Sequence, residues 1–147
     1  MIRHARKEDL PDILKIYNDA IINTTAVYTY DPKELEERLQ WFETKSIAEE
    51  PIWVYVKDHH VIGYATYGSF RDWPAYLYSI EHSIYVDPDY RGQGIASKLL
   101  EILIQDAKAK NYRTIVAGID ASNVGSIELH KKFNFTHAGT CLLYTSD

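Results

Sequence analysis

The sequence predicts an α/β domain with a mixed central sheet flanked by helices. Three observations carry that prediction. The chain has 147 residues, the length of one ordinary domain with a single core. Its apolar positions recur at helical spacing in some stretches and alternate in others. The elements marked in this way run in the order β-α-α-β-β-β-α-β-α-β, an arrangement that interleaves strands with helices across a sheet.

Residues 2–4 read as a short strand. Leu10, Ile13, Leu14, Tyr17 and Ile21 then recur at helical spacing, with Asp9 and Pro11 suited to a first turn. Asp31-Pro32-Lys33-Glu34 combines an N-cap acid, a proline at the first helical position and a carboxylate, ahead of Leu35, Leu39 and Phe42, and predicts a second helix starting there. Residues 52–56 and 61–67 are β-branched and aromatic runs around Lys57-Asp58-His59-His60, the pattern of an antiparallel hairpin. A longer strand spans about 76–86, with Tyr78, Ile80, His82, Ile84 and Val86 on one face and Ser79, Glu81, Ser83 and Tyr85 on the other. That second face is polar, which marks it as a place for a site. Ile95, Leu99, Leu100, Ile102, Leu103 and Ala107 form an amphipathic helix. Residues 114–119 read as a strand, 126–132 as a short helix, and Phe135 begins a final extended segment.

Composition narrows the function. A formal charge of −5 argues against a protein held to nucleic acid by phosphate contacts. No apolar run approaches the roughly 18 residues of a membrane span, and the charged start lacks a secretory pattern, so a cytoplasmic protein is expected. The single Cys141 cannot form an internal disulfide, which agrees with a reducing compartment. No repeat or linker divides residues 1–147, and one domain is expected. Although His59 and His60 are adjacent, no histidine spacing suits a metal, and none is expected.

The chemistry begins at Arg91-Gly92-Gln93-Gly94-Ile95-Ala96, between a strand and a helix. Glycines there leave backbone N–H groups open to an anion at a helix N-terminus, or simply make the turn. The spacing is not that of a Walker loop or a dinucleotide fingerprint. Val86-Asp87-Pro88-Asp89-Tyr90-Arg91-Gly92-Gln93-Gly94-Ile95-Ala96 resembles the pyrophosphate loop [RQ]-x-x-G-x-[GA] of the GNAT acetyltransferases. A second stretch, from Ala117 through Asn123, Ser126 and His130 to Phe135, resembles the family's N-x-x-[SA]-x-x-[LF]-[YH]-x-x-x-G-F segment. Ile16-Tyr17-Asn18, Tyr64-Ala65, Phe70-Arg71, residues 80–86 and residues 116–119 are similar to the phosphinothricin and methionine sulfoximine or sulfone acetyltransferase branch.

That resemblance covers about residues 2–139 and implies the GNAT (acyl-CoA N-acyltransferase) fold with acetyl-CoA as co-substrate. It implies that the backbone of Ile84, Tyr85 and Val86 pairs with the pantetheine arm, that Arg91, Gly92, Gln93, Gly94, Ile95, Ala96 and Ser97 hold the pyrophosphate, and that Asn123 and Ser126 touch the cofactor. It also implies a homodimer. Two departures stand out. Asn134 replaces the usual glycine before Phe135, a change that asparagine's tolerance of left-handed backbone accommodates. Residues 141–147 resemble nothing in the branch, so the final strand is expected to be truncated or replaced by foreign sequence.

Acetyl transfer to an amine needs a neutral nucleophile, a polarised thioester carbonyl and a proton for the departing thiolate. Glu81, on the polar strand face, is the candidate base, since a partly buried carboxylate is a stronger base than an exposed one; the alternative is a structural carboxylate. His82 points to the opposite face on strict alternation, where a core histidine is expected, although a bulge at the cofactor end of the strand would turn it toward the substrate; it ranks second as a base and is counted among the substrate-binding residues. By resemblance the Ile84 N–H polarises the carbonyl. His130 stands where most of the family has Tyr, as the acid for the thiolate or as a bystander beside CoA. Arg71 is the candidate ligand for an acidic group of the substrate, or else a surface ion pair. The resemblance adds Trp73, Pro74, Ala75 and Tyr76 as the rim, with Tyr28 and Tyr30 as walls. The expected activity is acetylation of the amine of a small amino-acid-like molecule. The rivals are a GNAT acting on a peptide N-terminus, a lysine or an antibiotic, and a non-catalytic acyl-CoA-binding module.

Overall fold

In the computed structural model the residues described are 1–23, 34–69, 79–117 and 124–135, with the side chains of 21–23 and 124 excepted. Five strands form one mixed sheet in the order β1-β2-β3-β4-β5: β1 (Ile2–His4), β2 (Ile52–Lys57), β3 (His60–Ser69), β4 (Ser79–Val86) and β5 (Thr114–Val116). The first four are antiparallel to their neighbours, and β5 runs parallel to β4. The helices are α1 (Leu10–Asn23), α2 (Leu35–Ile47), α3 (Ile95–Ala109) and α4 (Val124–Lys132).

The entry to α1 is set by Asp9, whose carboxylate accepts both guanidinium nitrogens of Arg3 at 2.7 and 2.9 Å and the Arg6 N–H at 2.7 Å. Burial alone would raise the Asp9 pKa, but these bonds outweigh it and hold the carboxyl below its ordinary value. Leu10, Ile13, Ile16 and Ala20 form the buried stripe of α1. The second helix begins later than its sequence signals suggest. Glu34 has extended backbone (φ −108, ψ 162) and caps a helix that starts at Leu35, while Asp31, Pro32 and Lys33 lie outside the described residues.

The hairpin turn is Asp58-His59, both with positive φ (51 and 68), the two-residue geometry that matches the twist of paired strands. A register shift opposite Tyr55 and Val56 leaves Ile62 without a cross-strand partner. Ile62 therefore faces α3 with Ala65 and Tyr67, while Val61 and Tyr64 face α1. The sheet thus separates two clusters. Trp53, Ile80, Ile95, Leu99 and Leu103 pack on the α3 side, and Leu10, Ile13, Ile52 and Val54 pack on the side of α1 and α2.

Alternation in β4 follows the sequence expectation, with Ile84 and Val86 joining the α3 cluster and Tyr85 the opposite one. The end of β3 is clamped from below: Lys45 Nζ donates to the Tyr67 carbonyl at 3.0 Å and to Glu50 Oε1 at 3.3 Å, and Glu50 Oε2 accepts the Ser69 N–H at 3.1 Å. Asn134 has φ 68, the left-handed backbone expected of it as a glycine substitute. Residues 118–123 and 136–147, including the expected final strand, lie outside the described residues.

Candidate active site

The candidate site lies along β4, beyond its described pairing with β5. Their pairing covers Ser79↔Thr114, Ile80↔Ile115 and Glu81↔Val116. From His82 to Val86 no described strand lies on that side of β4, and residues 118–123, which follow β5, lie outside the described residues; Ile84, Tyr85 and Val86, the residues expected to meet the cofactor arm, fall in this stretch.

This stretch of β4 runs into the glycine loop. Asp87 donates its N–H to the Ile62 carbonyl at 2.8 Å and accepts the Asp89 N–H on Oδ1 at 2.9 Å, which fixes the turn out of the strand. Gly92 and Gly94 both have left-handed backbone (φ 80 and 79), and a Cβ on either would meet nothing within 4 Å. Gly94 caps α3 without a side-chain hydrogen bond, so the first N–H groups of the helix have no acceptor inside it and face an open cradle. Arg91, Gly92 and Gln93 are exposed around it. Two lysines missed by the sequence reading border the loop: Lys57 Nζ donates to Gln93 Oε1 at 3.4 Å and lies 5.6 Å from the Tyr90 ring, and Lys98 lies over Tyr55. Lys57 is 36 positions from Gln93, and no local pattern signals that approach.

Glu81 closes the paired part of β4, opposite Gly68 of β3. It is exposed rather than partly buried. The face it shares with Tyr85 holds an aromatic cluster, in which Tyr85 stands 5.2 Å from Tyr64 and 5.7 Å from Tyr17. Behind them the buried Arg38 lies over Tyr17 (4.4 Å) and Trp41 (4.5 Å) and donates to Glu37 at 2.6 and 3.0 Å. Arg38 is not among the residues expected from the sequence; its one signal there is a charge on the apolar stripe of α2 between Leu35 and Phe42.

On the other face His82 and His130 are both buried, with Nε2 of each 2.8 Å from Nε2 of the other. His130 Nδ1 is 2.7 Å from the Ser126 carbonyl, and Phe135 stacks on His82 at 5.8 Å. Burial pushes His82 down to about 4, the neighbouring His130 adds to this, and His82's own backbone opposes it. Burial likewise lowers His130, against the bond to Ser126. Both shifts favour the neutral rings. Ile95 is buried, whereas Ala96 and Ser97 are half-buried at the start of α3. Of the remaining expected site residues, Tyr28, Tyr30, Arg71, Trp73, Pro74, Ala75, Tyr76 and Asn123 lie outside the described residues.

The glycine loop at the head of α3 and the order of the mixed sheet suit an acyl-CoA-type transferase fold, and the comparisons with known proteins agree. The acetyltransferase (GNAT) family profile matches residues 10–135, and the chain belongs to that family. It is 42% identical over 139 residues, 94% of this chain and 81% of the relative, to an L-methionine sulfoximine/L-methionine sulfone acetyltransferase of Pseudomonas aeruginosa. Among solved structures, an N-acetyltransferase from Staphylococcus aureus is 65% identical with a TM-score of 0.95, covering 100% of this chain and 90% of that one. A phosphinothricin acetyltransferase from Sinorhizobium meliloti, solved with acetyl-CoA, is 34% identical with a TM-score of 0.91, covering 95% and 76%.

Proposed function

We propose that the chain moves the acetyl group of acetyl-CoA to the amine of a small amino-acid-like molecule of the methionine sulfoximine, methionine sulfone or phosphinothricin kind. The observation that carries this reading is that β4, beyond its described pairing with β5, leads directly into the glycine loop at the head of α3. A pantetheine arm adds to a strand edge as a further strand, and a pyrophosphate suits N–H groups that no side chain caps. The names of the relatives support the substrate class.

In this reading the loop residues 91–97 bind the pyrophosphate, with Lys57 beside them, and the Ile84 N–H meets the thioester oxygen as it gains charge. Asn123 and Ser126 border the cofactor arm. Glu81, on an exposed strand position, takes a proton from the incoming ammonium through water. The proton for the thiolate comes from the pair that His130 forms with His82. Arg71 holds the acidic group of the substrate, with Tyr28, Tyr30, Trp73 to Tyr76 and His82 around the substrate. A homodimer in the cytoplasm belongs to the same proposal. Arg71→Ala tests the substrate class: KM for methionine sulfone is expected to rise on the order of 10- to 100-fold with acetyl-CoA affinity unchanged, the loss expected of one bidentate charge-assisted pair. An unchanged KM contradicts the acidic substrate.

A further inference from the structure

We propose that His82 and His130 act as a coupled pair in which His82 Nδ1 carries the proton from the substrate nitrogen to the CoA sulfur, while His130 fixes the tautomer of His82. The inference rests on the acetyl-transfer reading above and changes which nitrogen handles the proton.

The tautomers follow from the bonds. A carbonyl oxygen only accepts, so His130 Nδ1, 2.7 Å from the Ser126 carbonyl, carries its ring proton. In a neutral ring the other nitrogen is then a lone pair. His130 Nε2 therefore accepts, and the nitrogen 2.8 Å away, His82 Nε2, must donate to it. That leaves His82 Nδ1 as a bare lone pair. It is buried and has no hydrogen-bond partner among the described residues, an exceptional condition for a buried polar atom.

The position suits the chemistry. His82 is the first residue of β4 beyond its described pairing with β5, two residues before Ile84. His130 has no free nitrogen of its own to offer a thiolate, because Ser126 and His82 occupy both. Phe135 lies against both rings and holds their crossing at 78°.

The substrate arrives as an ammonium and loses one proton to Glu81 and water. The neutral amine then forms the C–N bond, and its second proton passes to His82 Nδ1. The C–S bond breaks with its electron pair on sulfur, and the Nδ1 proton is given to that thiolate. While His82 holds the extra proton, its Nε2–H remains bonded to His130, which spreads the charge over the pair. The pair ends in its starting tautomers, and the products are the amide and free CoA thiol. No other reactant is needed.

Two measurements test the assignment. In the free wild-type protein at pH 7, ¹⁵N-detected NMR of the imidazole rings is expected to find His82 protonated at Nε2 alone and His130 at Nδ1 alone. A proton on His82 Nδ1, or a doubly protonated ring in either residue, overturns it. His82→Gln keeps a donor near His130 Nε2 but has no titrating acceptor, and kcat is expected to fall on the order of 10²- to 10³-fold, with KM for acetyl-CoA within about twofold. A kcat within a few-fold of wild type in the folded variant overturns the proton-carrying role. If that variant does not fold, the tautomers of the wild type still decide. Absence of acetyl transfer to any amine by the wild type removes the acetyl-transfer reading together with this one, whereas transfer that survives His82→Gln removes this one alone.

Discussion

Gly63 of β3 and Ile95 of α3 meet so closely that a Cβ on the glycine would stand 3.1 Å from Ile95 Cγ2, 3.3 Å from Leu99 Cδ1 and 3.3 Å from the Tyr85 carbonyl. The first turn of α3 is seated on bare backbone, and the position of the glycine cradle depends on that seat. Gly63→Val is therefore expected to lower stability by about 1 to 3 kcal/mol through overpacking and to weaken acetyl-CoA binding by about tenfold. Thermal melting and calorimetric titration check both. Unchanged binding in a destabilised variant would separate the cradle from the packing beneath it.

Gly94 supports a sharper expectation. Acetyl-CoA is expected to raise the melting temperature of the wild type, because a ligand selective for the folded state stabilises it. Gly94→Glu places a side chain, a left-handed backbone cost and a negative charge at the N-terminus of α3, where an anion is proposed to sit. The shift should vanish. A folded variant with the full shift would move the cofactor to another part of the surface.

The sheet, the hairpin and the two interior helix stripes were legible in the sequence because each is set by local alternation or periodicity. The glycine loop was legible for a similar reason, as Gly92 and Gly94 adopt the positive φ that glycine permits. The start of α2 was misread, since Asp31-Pro32 has the composition of a helix entry while Glu34 is still extended. His82 was read as a core residue on the far face, which it is, but its contact with His130 joins positions 48 apart. Arg38 and Lys57 were missed for the same reason: a cation over two rings, or beside a loop from another hairpin, is a product of packing. The exposure of Glu81 could not be read either, because alternation gives a residue's face but not what covers it.

Acid should weaken the fold through the histidine pair. Below the ordinary value of 6.5 the unfolded chain takes up a proton on each ring while the folded pair stays neutral, so stability is full above about pH 7 and falls as pH drops toward the His82 value of about 4. For His82 alone the difference amounts to about 3 kcal/mol at the acid end. Asp9, whose carboxyl is held below its ordinary value, adds a loss of the same sign at lower pH. In His82→Gln the dependence of unfolding free energy on pH between 7 and 4 is expected to flatten by close to one proton. Parallel curves for variant and wild type, from denaturant melts, would mean that His82 titrates normally in the folded protein.

Glu81→Gln is expected to lower turnover at pH 7 by about 10²- to 10⁴-fold with acetyl-CoA affinity retained. Because the carboxylate is exposed on β4, the variant should fold normally, and rates at high pH, where the free amine forms without help, should recover toward wild type. Turnover within a few-fold of wild type at pH 7 would assign the first deprotonation to solvent.

The central claim is tested most directly by incubating the purified chain with acetyl-CoA and, separately, with L-methionine sulfone, phosphinothricin and a lysine-bearing peptide, while following thiol release and the acetylated product by mass spectrometry. The account predicts thiol release matched one for one by N-acetylated amino-acid analogue, with the peptide left unmodified. Acetyl-CoA that binds but stays intact with every amine, or a product confined to the peptide, would contradict it.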